Sequence, residues 1–367
     1  MRTTRTFDDS DDRFVQVEAF ARVEIERYLS QHDEDSYPVE LVDRMRALGI
    51  FGATIPRQYG GLEWGRAEVA RLTYELARGW QPLAGMVGTH LRLCRDVIGH
   101  GTEEQKRAWL PAMAAGELVF ARAYHERGVD DPVSLRCRAE CRGDAGTLNG
   151  HKSWVTNARH ADRIAAIARD SGATVMVVVD PRRPGVAVGE ELSRPGMRGV
   201  SLAEVTFSDC GFDPDGDVLG GRGHDVAESV RGHDMTGYVS RALGSADAVV
   251  DCALRCVRGG IGARSQQAQG AIRMRVGELT VRVSAMRAVW RDVTGPAPSL
   301  STAEAKVFCT SALHDVIDTA AMLCGGAGYA GRDATLGRHH RDALALQIVG
   351  APNDTLLWHV GDRALAG

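Results

Sequence analysis

The sequence predicts an α+β chain in which helical units flank a β unit. Two observations carry this reading. Apolar residues recur at helical spacing before about Leu118 and again after about Val226. Between about Phe120 and Phe212 the texture changes to short β-branched runs broken by Gly, Pro and Asp. The expected units are residues 1–118, 119–221 and 222–367, helical, β and helical in that order.

In the first unit, Phe14, Val17, Phe20, Ala21 and Ile25 mark one helical face and Leu41, Met45 and Leu48 a second, before a long Ala- and Leu-rich stretch from Ala67 to Val97. Ala173 to Val179 and Val200 to Phe207 are the clearest strands of the middle unit. Helical patterns return over Tyr238–Val257, Gly270–Val293 and Thr302–Met322, the last running into the glycine cluster at Gly325 to Gly328.

Composition narrows the function classes. With 44% apolar and 25% charged residues and a formal charge of -4, the chain has no basic stripe or polybasic run of the kind nucleic acid or a membrane surface requires. Met1 to Phe20 lacks the apolar core of a signal peptide, and the apolar run at Val175 to Val179 is too short to span a bilayer, so a cytoplasmic protein is expected. Eight cysteines occur without a CxxC pair, consistent with reduced core thiols. Cys252 and Cys256 share a helical face, and no neighbouring His or Cys in the sequence supplies a metal shell.

Several segments carry a family resemblance. Tyr59-Gly60-Gly61-Leu62 is similar to a YGG loop, and Gly101-Thr102-Glu103-Glu104-Gln105-Lys106 with Leu110-Pro111 and Gly116-Glu117 to a GTEEQKxxxLPxxxxGE segment. Leu148 to Asn157 with Ala161-Asp162 resembles LNGxKxWITNxxxAD, and Gly196-Met197-Arg198-Gly199 a GxRG turn. Gly325, Gly326, Gly328 and Tyr329, then Arg341-Asp342-Ala343 and Gln347 to Asp354, resemble GGxGY, RDA and QIxEGTxx. Together these resemble the acyl-CoA dehydrogenase family over nearly the whole chain. The resemblance implies an N-terminal helical domain, a middle β-barrel-like domain and a C-terminal four-helix bundle. It implies FAD as cofactor, an acyl thioester of CoA or of an acyl carrier protein as substrate, and a homotetramer or homodimer.

By the same resemblance, Trp154 and Thr156 lie against the flavin, and His125 and Asp131 occupy a segment whose hydroxyls hold it. A flat aromatic wall and a donor near the ring atoms that gain charge suit an isoalloxazine. Arg258 and Gln269 match the clamp that a second subunit places on FAD, and Gly325 and Gly326 allow close backbone approach to phosphates. The departures are equally specific. His125 stands where a threonine is usual, the clamp around Arg258-Gly259-Gly260-Ile261-Gly262 lacks its Phe, and Met322 replaces a glutamine.

The largest departure is Gly350, at the position of the catalytic glutamate. Glycine cannot take the α-proton of a thioester, so another base is needed, or none. Some relatives place the carboxylate at the start of the first long C-terminal helix. Alignment on Gly244 makes Asp234 that base, while other registers offer Thr236 or Gly232; His233 and His125 also titrate near neutrality. Three functions follow: a thioester dehydrogenase with a non-standard base, of the short kind found in bacterial secondary metabolism; a flavin monooxygenase or elimination enzyme using open space at Gly350; or a non-catalytic subunit partnering an active paralogue.

Overall fold

The structure, a computed structural model, describes residues 12–129, 131–232, 234–258, 265–329 and 334–366. Helix α1 (Asp12–Ala19) continues through a π-helical turn at Phe20–Glu24 into α2 (Ile25–Leu29), followed by α3 (Val39–Ala47), α4 (Arg66–Gly79), α5 (Gln81–His100) and α6 (Glu103–Ala115). The apolar faces of α1 to α4 and the first half of α5 form one core around Phe20, Phe51, Leu72, Trp80 and Leu83. Helix α6 begins with a capping box. Thr102 Oγ1 accepts from Gln105 N at 3.2 Å and Gln105 Oε1 accepts from Thr102 N at 3.0 Å. Gln105 Nε2 also donates to the Val218 carbonyl at 2.7 Å, so this motif ties the first helices to the loop beyond the sheet.

The middle of the chain forms a seven-stranded sheet of β1 (Phe120–Ala123), β2 (Arg138–Arg142), β3 (Ala145–Thr156), β4 (Arg163–Asp170), β5 (Ala173–Val179), β6 (Val186–Val188) and β7 (Leu202–Phe212). The order is β1-β4-β2-β3-β7-β6, with β5 paired on β4. β1 and β2 run parallel to β4, and the other pairs are antiparallel. Alternation sorts the side chains: Ala121, Ala123, Leu148, Val155, Ala166 and Phe207 fill the inner face, whereas Phe120, Ile167 and Val178 pack on Leu93, Val97 and Leu110 of the helices. β3 and β7 lose register between Lys152 and Val155, and there Trp154 adopts φ +54°, a bulge that turns its side chain outward.

The last part is helical: α7 (Ala227–Arg231), α8 (Thr236–Arg258), α9 (Gln266–Thr294), α10 (Thr302–Cys324), α11 (Gly326–Tyr329), α12 (Ala334–Leu346) and α13 (Asn353–Ala366). Helix α10 is long and apolar enough to cross a bilayer, yet its Cys309, Leu313, Val316, Ile317 and Ala320 lie in the bundle core with Val249, Met286 and Trp290. The strand expected at Ala173 to Val179 has those bounds, while the one expected from Val200 starts at Leu202 and runs on to Phe212. All eight cysteines are reduced thiols, as expected, but Cys252 and Cys256 gain a neighbour. Cys324 of α10 folds onto Cys252 and Cys256 of α8, bringing the three sulfurs within 4.8 Å of one another, because packing joins helices that the sequence keeps far apart.

Candidate active site

Strand β3 supplies the aromatic wall. Trp154 is 48% exposed on its bulge, and the His125 ring lies 4.6 Å away, tilted by 50°. A backbone bond from Ser153 N to the His125 carbonyl, 2.8 Å, holds the two segments together. Thr156 ends β3, paired with Leu202. Beneath this wall Glu126 and Lys152 form a buried ion pair at 2.7 Å, and Glu126 also accepts from Arg136 N and Cys137 N. Burial pushes the Glu126 carboxyl up, but the Lys152 hydrogen bond and the two backbone donors outweigh it, leaving it below the usual carboxylate range. Glu126 is thereby occupied as scaffold.

The structure brings His125, Trp154 and Thr156 to one end of the sheet. Asp131 accepts from Val133 N at 2.9 Å and caps a short helical turn at Pro132–Ser134. Arg258 closes α8, exposed, about 30 Å along the helix from its first turn at 1.5 Å per residue. Gln269 lies in the first turns of α9, where it accepts from Arg273 at 3.4 Å. Gly325 caps α10 at φ +55°, and a Cβ on it or on Gly326 would meet open space. Gly259 to Gly262 and His233 fall outside the described residues. Asp234 is exposed at the approach to α8. Its Oδ1 accepts from Thr236 N at 2.9 Å and Thr236 Oγ1 at 2.5 Å, and its Oδ2 lies 4.0 Å from Arg66.

At Gly350 the structure corrects the expectation of open space. A Cβ there would lie 2.6 Å from both Cζ and Oη of Tyr238, and Gly350 has φ +81°. The ring of Tyr238, on the first turn of α8, thus fills the volume beside residue 350. Lys306 supports the same loop: fully buried on α10, its Nζ donates to the Ala351 carbonyl at 2.6 Å and the Gln347 carbonyl at 3.4 Å. Burial lowers its ammonium to about 8. The Lys306 Nζ and the Arg241 guanidinium stand 5.9 and 5.7 Å from the Tyr238 ring centroid. The family resemblance sets a glutamate against Gly350 and is silent about what would occupy its volume, so Tyr238 was not legible.

A second cluster also escaped sequence reasoning. Arg122 of β1, with Tyr124, sits on the strand face turned to α5, and its guanidinium lies 5.1 Å from the Tyr124 ring. Burial lowers Arg122 to about 10, with the charge of Arg92 adding to the effect. The signal was present: an arginine in the otherwise apolar and aromatic run Phe120 to Tyr124 is out of place on a half-buried strand.

A half-exposed tryptophan beside an imidazole at a strand end suits a flavin ring, and the chain is an FAD-dependent oxidoreductase of acyl thioesters. The domain families described as acyl-CoA dehydrogenase N-terminal, middle and C-terminal match residues 12–117, 126–210 and 221–365. The chain therefore belongs to the acyl-CoA dehydrogenase family. It is 29% identical to a mitochondrial isovaleryl-CoA dehydrogenase of Oryza sativa subsp. japonica over 93% of this chain and 88% of that protein. It is 30% identical to an isovaleryl-CoA dehydrogenase of Solanum tuberosum over 70% of this chain and 65% of that one. The butyryl-CoA dehydrogenase of Megasphaera elsdenii has the same fold, with a TM-score of 0.86 at 23% identity, covering 98% of this chain and 100% of that one. So has the prolyl acyl carrier protein oxidase AnaB, with a TM-score of 0.84 at 22% identity, covering 96% of this chain and 98% of that one.

Trp154→Ala removes the exposed wall without touching the buried pair beneath it. The expected outcome is reduced flavin content after gel filtration with unchanged thermal stability; full occupancy in the variant would show that the flavin rests elsewhere.

Proposed function

We propose that the protein oxidises an acyl thioester, presented by CoA or a carrier protein, with Tyr238, as the phenolate beside the Arg241 and Lys306 cations, rather than a loop carboxylate as the group that takes the α-proton. The observation that carries this reading is the 2.6 Å approach of the Tyr238 Oη to the position a side chain at 350 would begin from. A thioester acidifies the adjacent C–H, and a proton acceptor must face that carbon within hydrogen-bond reach. When bound, FAD supplies the hydride acceptor for the β-carbon. His125, Trp154 and Thr156 would form its wall, and Gly325 and Gly326 its phosphate approach. Lys306 keeps the loop carbonyls in place, so the backbone opposite Tyr238 is held by a buried cation and does not depend on a side chain at 350.

Asp234 is the competing base, and its engagement by Thr236 weighs against it. Exchange of the α-proton with deuterated solvent separates the two. Tyr238→Phe should slow exchange by about 10²- to 10⁴-fold with flavin retained, whereas Asp234→Asn should change it little. The opposite pattern would transfer the role to Asp234.

Filling position 350 tests the same packing. Gly350→Glu forces a side chain into Tyr238 at a left-handed backbone and should cost roughly 2 kcal/mol or more in urea unfolding. Tyr238→Ala in the same chain should recover part of that loss. A fully stable single variant would mean that Tyr238 moves freely out of the way.

We also propose that a second copy completes the flavin site. Met274, Val281, Phe308, Met322, Leu357 and Trp358 leave α9, α10 and α13 with exposed apolar surface, and Arg258 and Gln269 lie on the same bundle. Light scattering should give a dimer or tetramer; a monomer holding one FAD per chain would rule this out.

A further inference from the structure

Three thiols from two helices meet near one end of the C-terminal bundle, and the reaction described above uses none of them. Cys252 and Cys256 stand one turn apart on α8, so their side chains share a face, and Cys324 is the last residue of α10. The three sulfurs lie within 4.8 Å of one another, and among the described residues no other group of three or more His, Cys, Asp or Glu donors is gathered this closely. Cys252 and Cys324 are buried in the bundle core, whereas Cys256 packs against that core half-buried. A cysteine buried singly behaves as a small apolar side chain, as Cys309 of α10 does, its thiol pushed up to about 12 by burial. Apolar packing alone gives no reason to gather three sulfurs at one point.

The spacing fits one metal ion. A zinc to thiolate bond of about 2.3 Å sets the sulfurs of a tetrahedral site roughly 3.8 Å apart. Closing from 4.8 Å therefore takes movements of about 1 Å or less. A disulfide would bring two of the sulfurs to about 2.05 Å and leave the third without a role.

An all-sulfur donor set selects thiophilic ions and rejects calcium and magnesium, which take oxygen. Charge favours zinc(II) over copper(I), because three thiolates leave a zinc centre with a single net negative charge and a copper(I) centre with twice that. The cluster lies at the carbonyl end of α10, capped by Gly325, where the negative partial charge of the helix favours the more highly charged cation. The half-buried side at Cys256 gives the ion its way in and leaves the fourth position to water.

We infer that Cys252, Cys256 and Cys324 form a zinc(II) site that ties the last turns of α8 to the end of α10. Three zinc to sulfur bonds form as the thiols give up their protons to solvent, with no change of oxidation state. The site is independent of the thioester reading. Its consequence is structural: Arg258 follows Cys256 by two residues and Gly325 follows Cys324 directly, so the ion fixes the spacing of the two segments that carry them.

The test is titration of the full FAD-loaded chain, kept reduced with a phosphine, with zinc in competition with a chromophoric chelator. One ion per chain should bind, and the melting temperature should climb with zinc activity. Cobalt(II) in its place should add absorption in the red, beyond the flavin bands, the signature of a tetrahedral sulfur site. Cys256→Ala and Cys324→Ala should each weaken zinc binding by about a hundredfold or more, since even the outer partners of a metal ligand are worth roughly ten- to a hundredfold. Cys256 is half-buried, so its variant keeps the core packing and decides the matter where a variant at Cys252 or Cys324 does not fold. Cys141→Ala, on β2, should leave zinc uptake unchanged. Refusal of zinc by the reduced protein would overturn the inference, as would uptake that survives Cys256→Ala and Cys324→Ala, loss of uptake in Cys141→Ala, or binding of copper(I) where zinc is refused.

Discussion

The contact on which the rest of the molecule depends is the approach of α8 to α4 at Gly244. A Cβ at Gly244 would run into the backbone carbonyl of Tyr74 and the amide of Arg78, so the two helix backbones meet with no side chain between them. Polar groups lock this contact along its length. Tyr74 Oη donates to Asp247 at 2.6 Å, Arg287 donates to both Asp247 oxygens at 2.8 and 2.6 Å, and Arg78 pairs with Asp251. Burial, with the neighbouring Asp247 carboxylate, pushes the Tyr74 phenol up, so it stays a donor. Gln81 adds bonds to the Arg241 carbonyl and Ser245 Oγ at 2.9 and 2.6 Å. Helix α8 is therefore bound to the first helical unit as firmly as to its own bundle, and Ala70 of α4 belongs to the bundle core.

That constraint decides where chemistry can occur. Because α8 is immobilised at its middle, its first turn projects Tyr238 at a set height, and the loop carrying Gly350 must pass beside it. Gly350 allows this passage on two counts, a left-handed backbone and the absence of a Cβ. The GxRG turn docks in the same manner. A Cβ on Gly196 would strike the Arg341 carbonyl, one on Gly199 the Trp80 ring, and Met197 N donates to the buried Asp342 carboxyl. Burial raises that acid to about 6. Sheet, first helices and bundle thus converge on backbone-level contacts around the site.

Those backbone contacts explain what was legible in the sequence. The capping box at Thr102 and Gln105, the turn at Gly196 to Gly199 and the bulge carrying Trp154 each need particular residues at particular spacings, so the motifs announced the fold. The bounds of β5 could be read from Ala173 to Val179 because a β-branched run between turns leaves few alternatives. Asp131 and Asp234 could not be placed as well: a short acidic residue ahead of a helical turn can cap it or face a pocket, and only the coordinates display their caps. Tyr238 against Gly350, Cys324 against Cys252 and Arg122 against Asp96 are long-range meetings between elements. No local pattern encodes them.

The division has a physical basis that bears on how this fold carries varied chemistry. Contacts such as Gly244 on Tyr74 and Gly196 on Arg341 involve main chain on at least one side, so they persist while side chains facing the cavity change. Lys306 illustrates the point: it binds the Ala351 and Gln347 carbonyls, and that bond is indifferent to whether residue 350 bears a carboxylate. Glycine at 350 therefore costs the scaffold little, because an aromatic ring from the adjacent turn of α8 fills the volume. A chain can thus keep its backbone-level contacts while the side chains beside position 350 change.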